Sequence, residues 1–222
     1  MCGRFTLHTP ESQMREAFNL EHTEPLGLNP RYNIAPSQDI SIIRDTESGH
    51  ELTMARWGLI PSWSKESKSK YSTINARIES VAEKPTYRTP FKRQRCLIPA
   101  DGFYEWKQVA GNKVPHHIRM KDGKVFAFAG LWDHWENEDD SIESCTIIVM
   151  PSNEVMKPIH ERMPAIIAPA HYDLWLDSRI TDKQEIMQHL NSAPSSLLTA
   201  YPVSTWVNSP KNNNERCIQP AG

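Results

Sequence analysis

The pattern of hydrophobic and polar residues along the chain of 222 residues favours many short strands over long helices. Apolar runs of about four to eight residues, bounded by Gly, Pro, Asn or Asp, are typical of buried or half-buried strands. Such runs predict strands at residues 40–43, 52–57, 103–106, 116–120, 125–131, 145–150 and 165–167, with another around residues 201–203.

Helical signals are few and lie near the two ends of the sequence. Thr9 and Pro10 predict an N-cap and a first helical residue for one helix. Thr181 and Gln184 match a capping box for another, and residues 170–176 predict a shorter one.

Two dipeptides, Gly111-Asn112 and Asp122-Gly123, lie between strand-like runs and predict hairpin turns. Tight turns join antiparallel neighbours, so the sheet should be mainly antiparallel. Many short strands with helices near both ends predict an α+β fold with a curved or barrel-like sheet and a few short flanking helices. Without a linker segment, we expect residues 1–222 to form a single domain.

Composition narrows the class of protein. The hydrophobic fraction is 38% and the mean hydropathy is −0.59. No apolar run approaches the roughly 18–20 residues that span a bilayer, so we expect no membrane partner and a cytoplasmic protein. The four cysteines are widely spaced and no metal-ligand spacing occurs, so we expect reduced thiols, no metal and no cofactor. Heptads are absent, which favours a monomer.

Charge is unevenly distributed although the net charge is only −2. Residues 56–95 contain ten Lys/Arg and three Asp/Glu, whereas residues 133–143 contain six acids and no Lys or Arg and should form a solvated loop. Basic residues mixed with aromatic ones are typical of single-stranded nucleic-acid binding, although a solvated basic face is the more common explanation. The interleaved aromatic residues are Trp57, Trp63, Tyr71, Tyr87 and Phe91. The polar, Ser-rich segment 62–72 predicts a mobile loop that closes over a bound strand.

Cys2 follows Met1 directly, so removal of Met1 would place an α-amine and a thiol on adjacent carbons. The two groups titrate near ~7.7–8.0 and ~8.5, and both can act as nucleophiles near neutral pH. An aldehyde would form an imine with the nitrogen, and the sulfur would then close a thiazolidine. The ordinary alternative is that Cys2 is simply a small residue that methionine-removing enzymes tolerate at position 2.

Eight motifs together resemble one known family. In order they are MCGRF, RYNIAPSQ (31–38), WGLIPSW (57–63), NARIES (75–80), RCLIPADGFYEWK (95–107), AGLW (129–132), HERMP (160–164) and VSTWVNSPKN (203–212). Read together they resemble the SOS response-associated peptidase family, also called abasic site processing proteins, from residue 2 to about residue 212.

The resemblance implies a specific activity. Met1 would be removed, by the protein itself or by an aminopeptidase, and Cys2 would react with the aldehyde of an abasic site in single-stranded DNA. The resulting thiazolidine crosslink would protect the lesion during replication and the SOS response to DNA damage. The protein would be cytoplasmic, and nucleoid-associated when bound to DNA. The family's active-site motifs carry over to Asn75, Glu105 and His160.

Each of these residues suits a step of such chemistry. Glu105 lies among aromatic residues, whose low polarity raises a carboxyl pKa and suits general acid–base catalysis. His160 can protonate a departing hydroxyl. Asn75 can hold a sugar oxygen in line with Cys2 without changing charge. The structural alternatives are a solvent-facing side chain for Glu105, a purely structural role for His160 and a turn cap for Asn75.

Three arginines close in sequence to these residues, Arg4, Arg77 and Arg162, are predicted to contact DNA phosphates, with structural ion pairs as the alternative. Trp63 is predicted to stack on a base, whereas Trp57 fits the core equally well. Binding should be largely independent of DNA sequence.

Three other activities compete. An amidotransferase with an N-terminal nucleophile also exposes a cysteine after Met1. In such enzymes the cysteine is followed by an apolar, glycine-containing strand, whereas in this chain MCG continues as RF. A non-catalytic single-strand binding module would use the basic segment alone. A protease acting on other proteins lacks support, because no separate Ser/His/Asp arrangement occurs in the sequence.

Overall fold

Two β-sheets form the framework of the computed structural model, which describes residues 2–20, 23–67, 72–190 and 193–221. The strands within these ranges are β1 (Phe5–Leu7), β2 (Arg31–Ile34), β3 (Asp39–Thr46), β4 (Gly49–Trp57), β5 (Asn75–Arg77), β6 (Arg95–Ala100), β7 (Gly102–Val109), β8 (Asn112–Met120), β9 (Phe126–Glu136), β10 (Ser141–Pro151), β11 (Arg162–Pro164), β12 (Ile166–Ile167) and β13 (Leu198–Pro202).

The helices are short and lie between or after strands. They are α1 (Glu11–Ala17), α2 (Arg88–Arg93), α3 (Tyr172–Leu176) and α4 (Lys183–Gln188), with 3-10 turns at Pro169–His171, Ser195–Leu197, Thr205–Asn208 and Glu215–Cys217.

The larger sheet closes on itself. β10 pairs with β4 and also with β9, so β10, β4, β3, β6 and β9 form a continuous ring of strands, with β5, β11 and β12 added at its edges. The smaller sheet has the order β13-β8-β7-β1-β2. Pairing is antiparallel except where β10 meets β4 and β5. The predicted α+β fold with a barrel-like, mainly antiparallel sheet is confirmed.

One hydrophobic cluster extends through both sheets. Phe5 of β1 packs edge-on against Trp57 at 5.2 Å and against Phe128 at 5.8 Å between ring centroids, which ties the first strand to the barrel. A second, smaller cluster contains Tyr104 of β7 and Val207 and Cys217 of the C-terminal segment. The C-terminal segment, residues 203–220, therefore packs against the smaller sheet.

Two helix starts differ from their predictions. The first helix begins at Glu11 with Pro10 in the cap position, because the Thr9 hydroxyl and backbone N–H bond to Asp101 instead of capping the helix. α4 is capped by Asp182, whose carboxylate accepts bonds from two backbone N–H groups, and not by Thr181. The predicted helix at 170–176 is confirmed as a 3-10 turn followed by α3.

The turn predictions are partly wrong. The β7–β8 hairpin turns at Ala110 and Gly111, whose φ angles of 47° and 85° fit a type I′ turn, one residue earlier than predicted. Asp122-Gly123 joins β8 to β9, which belong to different sheets, so this turn connects the two sheets and forms no hairpin.

The acidic segment 133–143 is also not a loop throughout. Its two ends belong to β9 and β10, and only residues 137–140 form the turn between them. Asp133 is buried, and its carboxylate accepts the Ser62 backbone N–H at 2.9 Å. In the described ranges, no helix is both long and apolar enough to cross a membrane.

Candidate functional site

Cys2 lies three residues before β1, a strand that pairs with both β7 and β2 in the smaller sheet. β1 pairs with β7, and the Tyr104 N–H donates to the Arg4 carbonyl at 2.9 Å, which extends the pairing toward Cys2. With Phe5 fixed in the core, the preceding residues have little freedom. Cys2 is completely buried. Met1 lies outside the described residues, so its removal stays a prediction.

Asn75 holds the backbone of Cys2 directly. It begins β5, which lies parallel to β10 with Asn75 opposite Ile147. Its Nδ2 donates to the Cys2 carbonyl at 2.8 Å, and this bond fixes the orientation of the amide because the carbonyl can only accept. Asn75 Oδ1 is buried and has no hydrogen-bond donor among the described residues. An acceptor is therefore available beside Cys2.

Glu105 lies on β7 opposite His116 and is buried, with 3% of its surface exposed. Burial raises the pKa of its carboxyl group, and the nearby charge of His160 acts in the opposite direction. A carboxyl group of this kind can remain protonated at a higher pH than an ordinary Glu. It therefore has the property that the sequence predicted for a general acid–base group.

His160 precedes β11 and is oriented by the backbone. The Arg162 N–H donates to His160 Nδ1 at 3.0 Å. The Arg162 carbonyl lies 3.2 Å from the same nitrogen, so Nδ1 accepts from the N–H in one tautomer and donates to the carbonyl when it is protonated. When both ring nitrogens are protonated, Nε2 can give up a proton while the Arg162 backbone keeps the ring in place.

The Cys2 thiol is strongly influenced by its surroundings. Burial raises its pKa first, the negative charge of Glu105 raises it further, and a hydrogen bond from the Arg4 backbone N–H lowers it. The thiol is therefore protonated near neutral pH. The mutual electrostatic effects place Cys2, Glu105 and His160 in one neighbourhood, and Asn75 joins them through its hydrogen bond.

The three predicted phosphate contacts differ in environment. Arg4 is half-buried, and its guanidinium donates to Asn33 Oδ1 at 2.7 Å and to the Val207 carbonyl at 2.9 Å. These bonds join β1 to β2 and the C-terminal segment. Its contact with DNA stays a prediction, beside this observed structural role.

Arg77 is exposed at the end of β5, whereas Arg162 at the start of β11 forms an ion pair with Glu79. Glu79 is absent from the residues that the sequence singled out. Its place two positions after Arg77 was a usable signal, but its partner Arg162 is 83 residues away in sequence.

The aromatic residues of the basic segment have different environments. Trp57, Tyr87 and Phe91 are buried in the core, which corrects the idea that all of them interleave with charge on one surface. Trp63 is 65% exposed. Its neighbours are fixed, because Ser62 N–H donates to Asp133 and the Ser64 carbonyl accepts from Trp135 Nε1 at 2.8 Å. Tyr71 and residues 68–70 of the predicted mobile loop lie outside the described residues.

Across the described ranges, no group of three or more His, Cys, Asp or Glu side chains is arranged to hold a metal ion. The four cysteines are all buried and none forms a disulfide.

A comparison with protein families decides the assignment. The model of the family described as SOS response associated peptidase (SRAP) matches residues 1–210. The chain belongs to this family. The resemblance inferred from the eight motifs is thereby confirmed, and the residues of the site described above all lie within the matched SRAP region.

Named relatives of this SRAP protein occur in bacteria and vertebrates. The abasic site processing protein YoqW of Bacillus subtilis is 43% identical over 222 residues, which cover 99% of each chain. The abasic site processing protein HMCES of Xenopus tropicalis is 33% identical, with 98% of this chain and 78% of the relative covered.

Solved structures share the SRAP fold seen here. A crystal structure of a protein from Bacteroides thetaiotaomicron has a TM-score of 0.86 and 25% identity, covering 99% of this chain and 100% of the other. One from Bordetella bronchiseptica has a TM-score of 0.79 and 26% identity, covering 91% and 100%.

Proposed function

We propose that this protein processes abasic sites in single-stranded DNA by forming a covalent thiazolidine crosslink through Cys2 after removal of Met1. The observation that carries the proposal is the arrangement at Cys2, whose carbonyl is held by Asn75 beside the buried carboxyl group of Glu105. The names of the relatives, abasic site processing proteins, support the same lesion as the target.

The amine reacts first in this scheme. An abasic sugar must open to its aldehyde before the amine nitrogen of Cys2 can add to C1. The buried thiol is protonated near neutral pH, so it is the weaker nucleophile at this stage. Asn75 Oδ1 can accept a hydrogen bond from a sugar hydroxyl, which would hold C1 near the amine.

Dehydration and ring closure follow. A proton from His160 or Glu105 converts the hydroxyl of the carbinolamine into water, which leaves an iminium ion. The sulfur then adds to the iminium carbon, and its proton passes to the Glu105 carboxylate. The overall reaction joins aminothiol and aldehyde with loss of one water, and no oxidant or reductant is needed.

The family description as a peptidase supports a narrow proteolytic role, the release of Met1 from its own chain. We limit the peptidase activity to this step. The exposed Arg77 and the exposed Trp63 are the proposed contacts for the phosphate backbone and a base of the bound strand, together with Arg4 and Arg162. We propose that the protein acts as a monomer of one domain.

The decisive experiment uses protein with Met1 removed and single-stranded DNA that contains one abasic site. We expect an adduct that survives denaturing electrophoresis and whose intact mass equals protein plus DNA minus one water. Cys2→Ala keeps the amine but has no sulfur to close the ring, so the stable adduct should disappear.

Two controls make this result specific. Cys96→Ala removes another buried thiol, on β6 of the barrel, and should leave adduct formation unchanged. Wild-type protein that retains Met1 should form no thiazolidine because its nitrogen is in a peptide bond. Binding without any adduct would sink the proposal and favour a non-catalytic binding module, whereas hydrolysis of glutamine would favour an amidotransferase.

A further inference from the structure

An acidic side chain lies between the two arginines at the end of β10. Arg77 of β5 is opposite Val149, and Arg162 of β11 is opposite Pro151, so the two arginines flank the end of β10 from either side. Glu79 follows Arg77 by two residues. A site that would bind phosphates thus contains an anion of its own.

Glu79 contacts Arg162 directly. Arg162 Nη1 donates to Glu79 Oε1, and the side chains are 21% and 48% exposed, respectively. The carboxylate is therefore the more accessible partner, and an incoming anion could replace it. The Arg162 backbone is separately fixed by its bond to His160 Nδ1.

Glu79 is ionised in this setting. Burial by itself would raise the pKa of its carboxyl group, but hydrogen bonds from its own backbone N–H and from Arg162, with the charges of Arg162 and Arg77, lower it. Its negative charge thus acts on both arginines at neutral pH.

We propose that Glu79 is a built-in competitor of DNA phosphate, which holds the Arg162 guanidinium in the free protein and must be displaced when a strand binds. This inference rests on the proposed function, since it takes Arg162 as a phosphate contact. The displacement weakens binding to every strand equally, because a phosphate is present beside damaged and undamaged nucleotides alike. Stable retention on DNA then depends on the covalent step at Cys2 and not on backbone affinity.

The test is the affinity of Glu79→Gln for an undamaged single-stranded oligonucleotide, measured by fluorescence anisotropy over a series of salt concentrations. Exposed ion pairs have modest energies, so we expect binding about two- to fivefold tighter than wild type. The slope of log affinity against log salt should stay the same, because Arg162 contacts the same phosphate in both proteins once Glu79 is displaced.

Two further variants separate this role from general charge and from structure. Glu161→Gln removes the same charge from an exposed position next to Arg162, so it measures the general effect of one lost negative charge. In an Arg162→Gln background, Glu79→Gln should have no more effect than Glu161→Gln, because its partner is gone. A change that persists undiminished in this background would overturn the proposal.

The outcome can also separate this proposal from the function on which it rests. If wild type forms the adduct but Glu79→Gln binds the undamaged strand as weakly as Glu161→Gln, or more weakly than wild type, Glu79 is not a competitor and the proposed function stands. If Glu79→Gln binds more tightly while wild type forms no adduct, the chemistry at Cys2 is wrong and the role of Glu79 stands.

Discussion

At the scale of single residues, Glu105 combines a benefit for chemistry with a cost for folding. Its carboxyl group is buried, and burial raises its pKa. A group in this state exchanges protons at a pH closer to neutrality than an exposed Glu does. The same burial makes the ionised form costly in the folded protein, since charge is poorly solvated there.

Glu105→Gln should therefore affect activity and stability in opposite directions. We expect adduct formation to slow by about 10²–10⁴-fold, the usual contribution of general acid–base catalysis. Because the folded-state pKa of wild-type Glu105 is raised, wild type should lose stability relative to the variant as pH increases from about 4.3, the ordinary Glu value, through the folded-state pKa. Urea unfolding at a series of pH values, beside single-turnover rates, measures both effects.

The opposite pH trend, with the variant losing stability relative to wild type as pH increases, would mean that Glu105 is stabilised as a carboxylate. Glu138→Gln is a suitable control, because Glu138 is exposed in the β9–β10 turn and should show neither effect.

Trp63 presents the reverse case, a large apolar side chain that folding does not bury. Since it is 65% exposed, Trp63→Ala should change the free energy of unfolding by less than about 0.5 kcal/mol. If a base stacks on the ring, the same change should weaken single-strand binding by about 1–3 kcal/mol. Trp57 is buried in the core, so Trp57→Ala should lower the free energy of unfolding far more than Trp63→Ala does. Equal DNA affinity of Trp63→Ala and wild type would exclude the stacking contact.

At the scale of secondary-structure elements, Asn33 joins strands that are far apart in sequence. This buried residue of β2 accepts from Arg4, and its Nδ2 lies within 2.7–3.1 Å of the carbonyl oxygens of Val207, Ser209 and Asn212. The C-terminal segment and the residues that lead from Cys2 into β1 are thus attached to the same side chain. Loss of this amide would leave buried polar groups without partners.

We expect Asn33→Ala to lower the free energy of unfolding by about 1–3 kcal/mol, the cost of buried polar groups without partners. It should also slow adduct formation, since Arg4 loses one of its two observed acceptors and the adjacent Cys2 and Gly3 are held less firmly. Chemical denaturation and adduct rates measure the two effects. Asn29→Ala, at an exposed position just before β2, is the matched control. A variant as stable as this control would show that the bonds of Asn33 contribute little.

The elements that sequence patterns identified are those with long apolar runs. All eight predicted strand regions are strands in the structure, although with different bounds. β1, β2, β5 and β11 were missed because three or four residues are too few to show alternation. β6 was missed although all six of its residues are buried, since a run with Arg95 and Pro99 departs from the usual strand composition.

At the scale of the whole molecule, the candidate site comes from four separate parts of the chain. Motifs identified Cys2, Asn75, Glu105 and His160, yet no local pattern could show that Asn75 bonds to the carbonyl of Cys2 across 73 residues. Such contacts depend on how β5 lies beside β10 and how β1 lies beside β7. The ion pair between Arg162 and Glu79 depends on long-range packing in the same way.

The complete burial of Cys2 has a consequence for its chemical durability. Peroxides and most alkylating agents attack the thiolate, and a buried, protonated thiol presents little of it. Oxidative stress damages DNA as well as exposed cysteines. A nucleophile kept in this form should survive such conditions in its reduced state, so that the protein remains competent when its substrate is most abundant.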